Sequence, residues 1–125
     1  RVYVAEVEGI MPLKEGRLDH YLIHADHRAI LAKKSDPEAK HARLTYQVIQ
    51  FRKHTTVVSI ELETGRYHQI RAQFSATGHP VVGDVRYGAK SESEEEEGIH
   101  LHCSKLAFAH PVTKEVVQCE SPAPF

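Results

Sequence analysis

The chain lacks several features that mark large classes of protein. Its 125 residues hold two cysteines, Cys103 and Cys119, and these form no CxxC pattern, which argues against a disulfide scaffold. No apolar run approaches the roughly 20 residues that cross a bilayer. The opening RVYVAEVEG has neither the apolar core of a secretory leader nor an initiator methionine. We therefore expect a soluble, cytoplasmic protein, and a piece of a longer chain.

Motifs for phosphate loops and metallopeptidases are also missing. The sequence contains no GxGxxG, no GxxxxGK[ST], no HExxH and no GxSxG, which disfavours the corresponding nucleotide, zinc and hydrolase sites. His100, His102 and Cys103 suggest a metal site, but alternation along a strand puts the histidines on one face and the cysteine on the other. A zinc site would need distant ligands, with His79, His110 and Cys119 as the candidates. An ordinary strand and no metal are the favoured interpretation.

The charge is nearly balanced overall but is distributed unevenly. There are 16 basic and 17 acidic residues, and five of the glutamates fall in SESEEEE at 91–97, which is typical of a solvated loop. Without those five, 16 basic residues face 12 acidic ones, a balance of +4, and the chain also has ten histidines. This distribution permits an anionic partner without requiring one.

Hydrophobic periodicity predicts an α+β fold. Alternation with a period of two predicts strands at 2–7, 43–51, 56–63, 99–110 and 115–119, the last two joined by an HPVTK turn. Segment 18–32 fits either a hairpin or a short helix. Helical spacing at 66–76 places Ile70 and Phe74 on one face, and Gly78 follows as a stop signal. The prediction is a mostly antiparallel sheet with one main helix, forming a single domain or domain fragment over residues 1–125.

The stretch ETGRYHQIR at 63–71 is the most distinctive part of the chain. It combines a glycine turn with a predicted helix that opens at Arg66. Helix N-terminal amides together with a guanidinium favour an anion, either a phosphate or a buried carboxylate. Helical geometry points Arg66 and Arg71 in different directions, so that one can serve a site while the other ties the helix to the sheet. A structural salt bridge of Arg66 is the competing account.

Four segments in order resemble the RluA-type RNA pseudouridine synthases. The segments TGRYHQIRAQ, GHPVVGDVRYG and LHCSKLAFAHP are similar to the family patterns TGRxHQIRxH, GxPxxGDxxYG and LHAxxLxFxHP. The opening RVYVAEVEG resembles the family strand KxYxAxVxG. The resemblance covers nearly the whole chain, and its departures are Gln73 for histidine and Cys103 for alanine.

This resemblance implies a fold, a reaction and a set of site residues. The fold would be the C-terminal portion of the pseudouridine synthase domain. A uridine of ribosomal or transfer RNA would be flipped into a pocket, where a catalytic aspartate acts and the uracil rejoins through carbon five, without cofactor or metal. Arg66 would pair with that aspartate, and Tyr3 would lie against the flipped base, placed for proton removal. Leu101, His68 and Gln69 are the expected substrate-binding residues.

The position of the nucleophile is the remaining question. The family nucleophile lies in HRLDxxTSG ahead of the KxYxA strand, whereas GRLD at 16–19 follows that strand and lacks the TSG. We therefore interpret Asp19 as part of an ordinary strand and Asp84 as a loop-shaping residue. The catalytic aspartate is expected upstream, so this chain alone is predicted to be inactive. The alternative is a non-catalytic RNA-binding or assembly module on the same scaffold.

Overall fold

The computed structural model describes residues 2–90 and 99–103. Three sequence predictions lie outside these residues: the acidic segment 91–97, the part of the strand 99–110 after residue 103, and the strand 115–119 with its turn. His110 and Cys119 lie outside them as well. All structural statements below concern the two described ranges.

The described residues form one six-stranded sheet in which every pair of neighbouring strands is antiparallel. The strands, with their order in the sheet given as β3-β2-β4-β5-β1-β6, are β1 Val2–Glu8, β2 Glu15–Ala25, β3 Arg28–Leu31, β4 Lys40–Phe51, β5 Thr55–Leu62 and β6 Leu101–Cys103. One α-helix, α1, spans Gln69–Ala76, and a 3₁₀ turn spans Val85–Tyr87. The predicted fold class is confirmed.

Segment 18–32, which allowed a hairpin or a helix, is a hairpin. Strands β2 and β3 are joined through Asp26 and His27, and both residues have positive φ, 53° and 61°. Two successive left-handed residues give a tight turn whose twist matches that of the flanking strands. The hairpin carries β3 to one edge of the described sheet.

Helix α1 covers one face of the sheet and closes the core. Phe74 is fully buried, and its ring meets the ring of Tyr46 on β4 edge-on, with centroids 5.9 Å apart. Ile70 lies in the same buried cluster together with Ile60 of β5 and Val7 of β1. The predicted face of Ile70 and Phe74 therefore does face the sheet.

The predicted start of the helix at Arg66 is wrong. Helix α1 begins at Gln69, and the preceding His68 has a left-handed backbone, with φ 50° and ψ 30°. A left-handed residue cannot continue a right-handed helix, so residues 66–68 form a turn of their own. Arg66 therefore stands before the helix rather than in its first turn.

The predicted stop at Gly78 is correct. Gly78 has φ 87° and its N–H donates to the carbonyl of Ser75, while the His79 N–H donates to the carbonyl of Phe74. These two bonds form the Schellman arrangement that commonly closes a helix at glycine.

No helix among the described residues is long and apolar enough to span a bilayer.

Candidate active site

The turn at residues 63–68 lies against an overhang of strand β4. The register pairs Leu44 with Leu62, so residues 40–43 extend beyond the end of β5. The Arg43 carbonyl accepts a bond from the Glu63 N–H (3.0 Å), and the Arg43 N–H donates to Thr64 Oγ1 (2.9 Å). The backbone groups of Arg43, which have no partner on β5, thus bond to the turn and hold it in place. Backbone N–H and C=O groups away from water need such partners.

Arg66 projects from this turn and is itself exposed. Its Nε donates to the carbonyl of His41 at 2.7 Å, which fixes one edge of the guanidinium on the β4 overhang. Within residues 2–90 and 99–103, no carboxylate forms an ion pair with Arg66. The competing account, a structural salt bridge of Arg66, therefore finds no partner carboxylate in that part of the chain.

Arg66 and Tyr3 line the same cavity. Its volume is about 180 Å³, and its walls are formed by Tyr3, Leu62, Gly65, Arg66, Tyr67, Gln69 and Ile70. Tyr3 comes from β1 and is 7% exposed. The two proposed catalytic residues, which lie far apart in the sequence, are brought together because β5 pairs with β1 and then leads into the turn.

Leu101 is buried in the core that contains Tyr3. It lies on β6 opposite Ala5 of β1, is 1% exposed, and shares a buried cluster with Tyr3. Its side chain is not among the residues that line the cavity. A pocket role for Leu101 therefore stays a prediction, while its burial in the same cluster as Tyr3 is observed.

Gln69 lines the cavity, but its amide is bonded within the protein. Its Oε1 accepts bonds from the Thr64 hydroxyl (2.8 Å) and the Arg66 N–H (2.9 Å). Its Nε2 donates to the Arg43 carbonyl (3.1 Å) and to Gln73 Oε1 (2.9 Å). A contact between Gln69 and substrate stays a prediction, and these bonds favour a supporting part instead.

His68 points away from the cavity and into a second cluster. It is buried, its Nδ1 lies 2.8 Å from the Tyr87 hydroxyl, and its Nε2 lies 3.0 Å from Arg71 Nη1. Because a guanidinium can only donate, Nε2 accepts and the proton sits on Nδ1. The ring stacks on Tyr67 at 3.9 Å. Substrate binding by His68 stays a prediction, since the residues lining the cavity do not include it.

The pKa of His68 is lowered to about 4, chiefly by burial and next by the neighbouring guanidinium of Arg71. Arg86 and His24 act in the same direction, and Asp84 opposes them. The unfolded value is about 6.5. The neutral ring therefore stabilises the fold fully above pH 6.5, and this contribution is lost as the pH falls from 6.5 to 4.

We expect the variant His68→Asn to remove this pH dependence, because asparagine tolerates a left-handed backbone and does not titrate. The wild-type free energy of unfolding should fall more steeply than that of the variant between pH 6.5 and 4.5, in urea titrations at several pH values. His27→Asn is the matched control, an exposed histidine that is also left-handed. Parallel curves for wild type and His68→Asn would contradict the prediction.

Arg71 ties the helix to the loop that follows it. Its Nε and Nη2 donate to the two carboxylate oxygens of Asp84 at 2.9 and 3.0 Å. The side chains are 13% and 1% exposed. The two arginines of the motif do point in different directions, Arg66 toward the cavity and Arg71 toward Asp84, and Asp84 shapes the loop.

Tyr87 is the supporting residue that the sequence analysis missed. Its hydroxyl accepts a bond from the Ala29 N–H at 2.9 Å and contacts His68, so it joins β3 to the turn. Its ring also lies beneath the guanidinium groups of Arg28 and Arg71, at 4.8 and 4.9 Å. The sequence signal was present in the segment GHPVVGDVRYG, which contains Tyr87, but the resemblance gave this tyrosine no role.

Asp19 lies in strand β2, as interpreted from the sequence. Its Oδ1 is 2.6 Å from His41 Nε2, and Arg43 is 3.5 Å from its other oxygen. The bond from His41 lowers the pKa of Asp19, with a smaller contribution from the charge of Arg43. Asp19 bonds to the ring of His41, and Arg66 bonds to the backbone carbonyl of His41. No ion pair joins Asp19 to Arg66.

The predicted alternatives for metal binding engage other partners. His100 Nδ1 lies 2.8 Å from a carboxylate oxygen of Glu6, and His79 Nδ1 lies 2.8 Å from the carbonyl of Glu8. Across residues 2–90 and 99–103, no group of three or more metal-ligating side chains comes together.

A second, larger concavity of about 530 Å³, lined by residues such as Glu15, Arg17 and Glu61, contains neither Tyr3 nor Arg66.

Comparison with known proteins places this sheet and helix in a family of RNA-modifying enzymes. The family model described as RNA pseudouridylate synthase matches residues 1–76. The "Dual-specificity RNA pseudouridine synthase RluA" of Vibrio cholerae is 33% identical over 89% of this chain and 45% of its own length. The "Ribosomal large subunit pseudouridine synthase D" of Haemophilus influenzae is 34% identical over 99% of this chain and 41% of its own length. The chain belongs to the RNA pseudouridylate synthase family, in its RluA-type branch.

The fold is also found in a solved structure. "Human RNA Pseudouridylate Synthase Domain Containing 1" superposes with a TM-score of 0.66 and 24% identity, over 82% of this chain and 46% of the human one. The chain thus spans less than half the length of the relatives it matches. This likeness supports the fold, and the residue-level argument rests on the cavity.

Proposed function

We propose that these 125 residues are the C-terminal part of the catalytic domain of an enzyme that isomerises uridine to pseudouridine in ribosomal or transfer RNA. The observation that carries this proposal is the cavity shared by Arg66 and Tyr3. Family membership gives the chemistry, and the geometry gives two residues of the expected types at one place. The choice of ribosomal or transfer RNA rests on the motif resemblance. Proteins recognise such RNA largely by its shape and by its single-stranded loops.

In the proposed mechanism, a catalytic aspartate approaches Arg66 from a segment outside these 125 residues. A guanidinium at hydrogen-bonding distance keeps such a carboxylate ionised and oriented. The aspartate acts on a uridine that has been flipped out of its stack. The glycosidic bond to the ring nitrogen breaks, the uracil turns, and a bond forms through carbon five. The proton then leaves carbon five, and the ring nitrogen freed by the broken bond gains a proton, so that the isomerisation balances. In this proposal Tyr3 assists the removal of the proton from carbon five.

The predicted division of labour between this chain and the rest of the protein is testable by an assay. The full-length protein should convert uridine to pseudouridine in ribosomal or transfer RNA transcripts, and the 125-residue chain should give no product at equal concentration. The physical reason is that Arg66 has no carboxylate partner within the described residues. Product would be measured by mass spectrometry after chemical labelling of pseudouridine.

Robust product from the 125-residue chain would refute the proposed division. The variant Asp19→Ala would then show whether the GRLD aspartate supplies the reaction. The alternative function, an RNA-binding or assembly module, predicts that the full-length protein binds these transcripts with an affinity that falls as salt rises, but forms no pseudouridine.

A further inference from the structure

The amide of Gln69 is the centre of a buried hydrogen-bonding network that reaches from the sheet to the Arg66 turn. We propose that Gln69 is a positioning residue for Arg66, and that it acts on catalysis through Arg66 rather than by touching the RNA. The proposal rests on the proposed function for its catalytic part, because Arg66 is a catalytic residue only if uridine is isomerised here. Its structural part stands on the contacts alone.

The first argument is that the Gln69 amide has no capacity left for a ligand. A glutamine side chain offers two N–H donors and one oxygen with two acceptor sites. Both acceptor sites are taken by the turn, through the Thr64 hydroxyl and the Arg66 N–H. Both donors are taken, one by the Arg43 carbonyl of β4 and one by Gln73. The residue is also only 3% exposed, so RNA would have to break internal bonds to reach the amide.

The second argument is the direction in which these bonds act. The oxygen end of the amide bonds to the turn on both sides of Gly65. A Cβ added at Gly65 would meet no atom within 4 Å, so packing does not support this part of the turn. The nitrogen end is anchored on the β4 overhang and on helix α1. Gln69 thus joins a turn with little packing of its own to the two rigid elements beside it.

The third argument concerns the guanidinium itself. Its Nε bonds to the His41 carbonyl on the same overhang of β4, two residues before the carbonyl that receives the Gln69 amide. The backbone of Arg66 and the end of its side chain are therefore both fixed to one strand. Fixing both ends before substrate arrives is what lets a charged group act on a reacting carboxylate without first reorganising.

The experiment compares Gln69→Met with Thr56→Val in the full-length protein. Methionine keeps the length of the glutamine side chain and removes the amide, and valine keeps the shape of threonine and removes the hydroxyl. Thr56 is the control because it is also fully buried and hydrogen-bonded, but its hydroxyl bonds to the Met11 N–H and to the Gly9 carbonyl at the other end of β5, away from the turn. Isotope-labelled arginine would report the exchange of the Arg66 backbone N–H with solvent, and steady-state kinetics on RNA would report kcat and KM.

If Gln69 positions Arg66, Gln69→Met should speed exchange of the Arg66 N–H by tenfold or more and lower kcat by about 10- to 100-fold, since small displacements of a catalytic group are costly. KM should change less than threefold. Thr56→Val should leave the Arg66 exchange rate and kcat within about threefold. Should Gln69→Met fail to fold, Thr64→Val removes one donor to the same oxygen and should give a smaller effect of the same kind.

Two results would overturn the proposal: unchanged exchange of the Arg66 N–H in Gln69→Met, or a raised KM with unchanged kcat, which would return Gln69 to direct substrate binding. A failure of the proposed function looks different. In that case the wild-type full-length protein forms no pseudouridine, yet the exchange at Arg66 still responds to Gln69→Met and not to Thr56→Val.

Discussion

Replacing Arg66 with alanine in the full-length protein is expected to lower kcat for pseudouridine formation by about 10²–10³-fold, the cost of removing one preorganised hydrogen-bond donor from an active site. The reason is that the proposed aspartate would lose the group that keeps it ionised and oriented. Arg66→Lys should recover little of the rate. Lysine lacks the planar fork that can bond the His41 carbonyl with one edge while its other N–H groups face the cavity.

Folding should hardly change in either variant, because Arg66 is exposed and surface substitutions are usually within about 0.5 kcal/mol. Arg86→Ala is the matched control: Arg86 is also exposed and also donates to a backbone carbonyl, that of His27 at 2.7 Å, but it does not line the cavity. Equal rates for wild type and Arg66→Ala would refute the catalytic part assigned to Arg66. Equal losses in Arg66→Ala and Arg86→Ala would point instead to RNA binding by surface charge.

The strands were predictable because each carries its own local signal. Alternation in VYVAEV and TVVSIEL reflects one face that packs under helix α1, and the structure places strands at Val2–Glu8 and Thr55–Leu62 accordingly. The helix stop was also local, since Gly78 adopts the left-handed conformation that glycine favours. For these elements, the residues that determine the local structure lie within the element itself.

The start of the helix could not be predicted in this way. A period of 3.6 residues runs through 66–76 without a break, and His68 gives no sign that its backbone is left-handed, since that conformation is rare in residues other than glycine. The cause is non-local. His68 is bonded to Tyr87, and Tyr67 is stacked on His24 at 3.9 Å, so contacts from other elements hold the turn.

The candidate site was only partly predictable for the same reason. The family resemblance named Arg66 and Tyr3, but their shared cavity depends on the pairing of β5 with β1. The support of Arg66 depends on the overhang of β4 beyond Leu62, which is a property of strand register. Periodicity within one segment carries no information about how far its partner strand extends.

The largest expected loss of stability follows the substitution Asp84→Asn. Asp84 is 1% exposed and receives two bonds from Arg71, which is 13% exposed. Asparagine keeps the size but loses the charge and part of the accepting capacity, so the buried guanidinium loses its ion pair with residue 84. Breaking a buried pair in this way typically costs about 3–5 kcal/mol. We expect a loss of this size in urea unfolding at neutral pH.

Asp19→Asn is the control for the loss of a paired carboxylate at an exposed position. Its side chain is 46% exposed although it also contacts a histidine and an arginine, and exposed pairs contribute little because water screens them. Asp84→Asn should therefore be far more destabilising than Asp19→Asn. Replacing both buried partners, with Asp84→Leu and Arg71→Met together, should recover part of the loss, since no charge is then left unpaired. Similar small losses in Asp84→Asn and Asp19→Asn would mean that the bonds of Arg71 to Asp84 do not hold the helix to its loop.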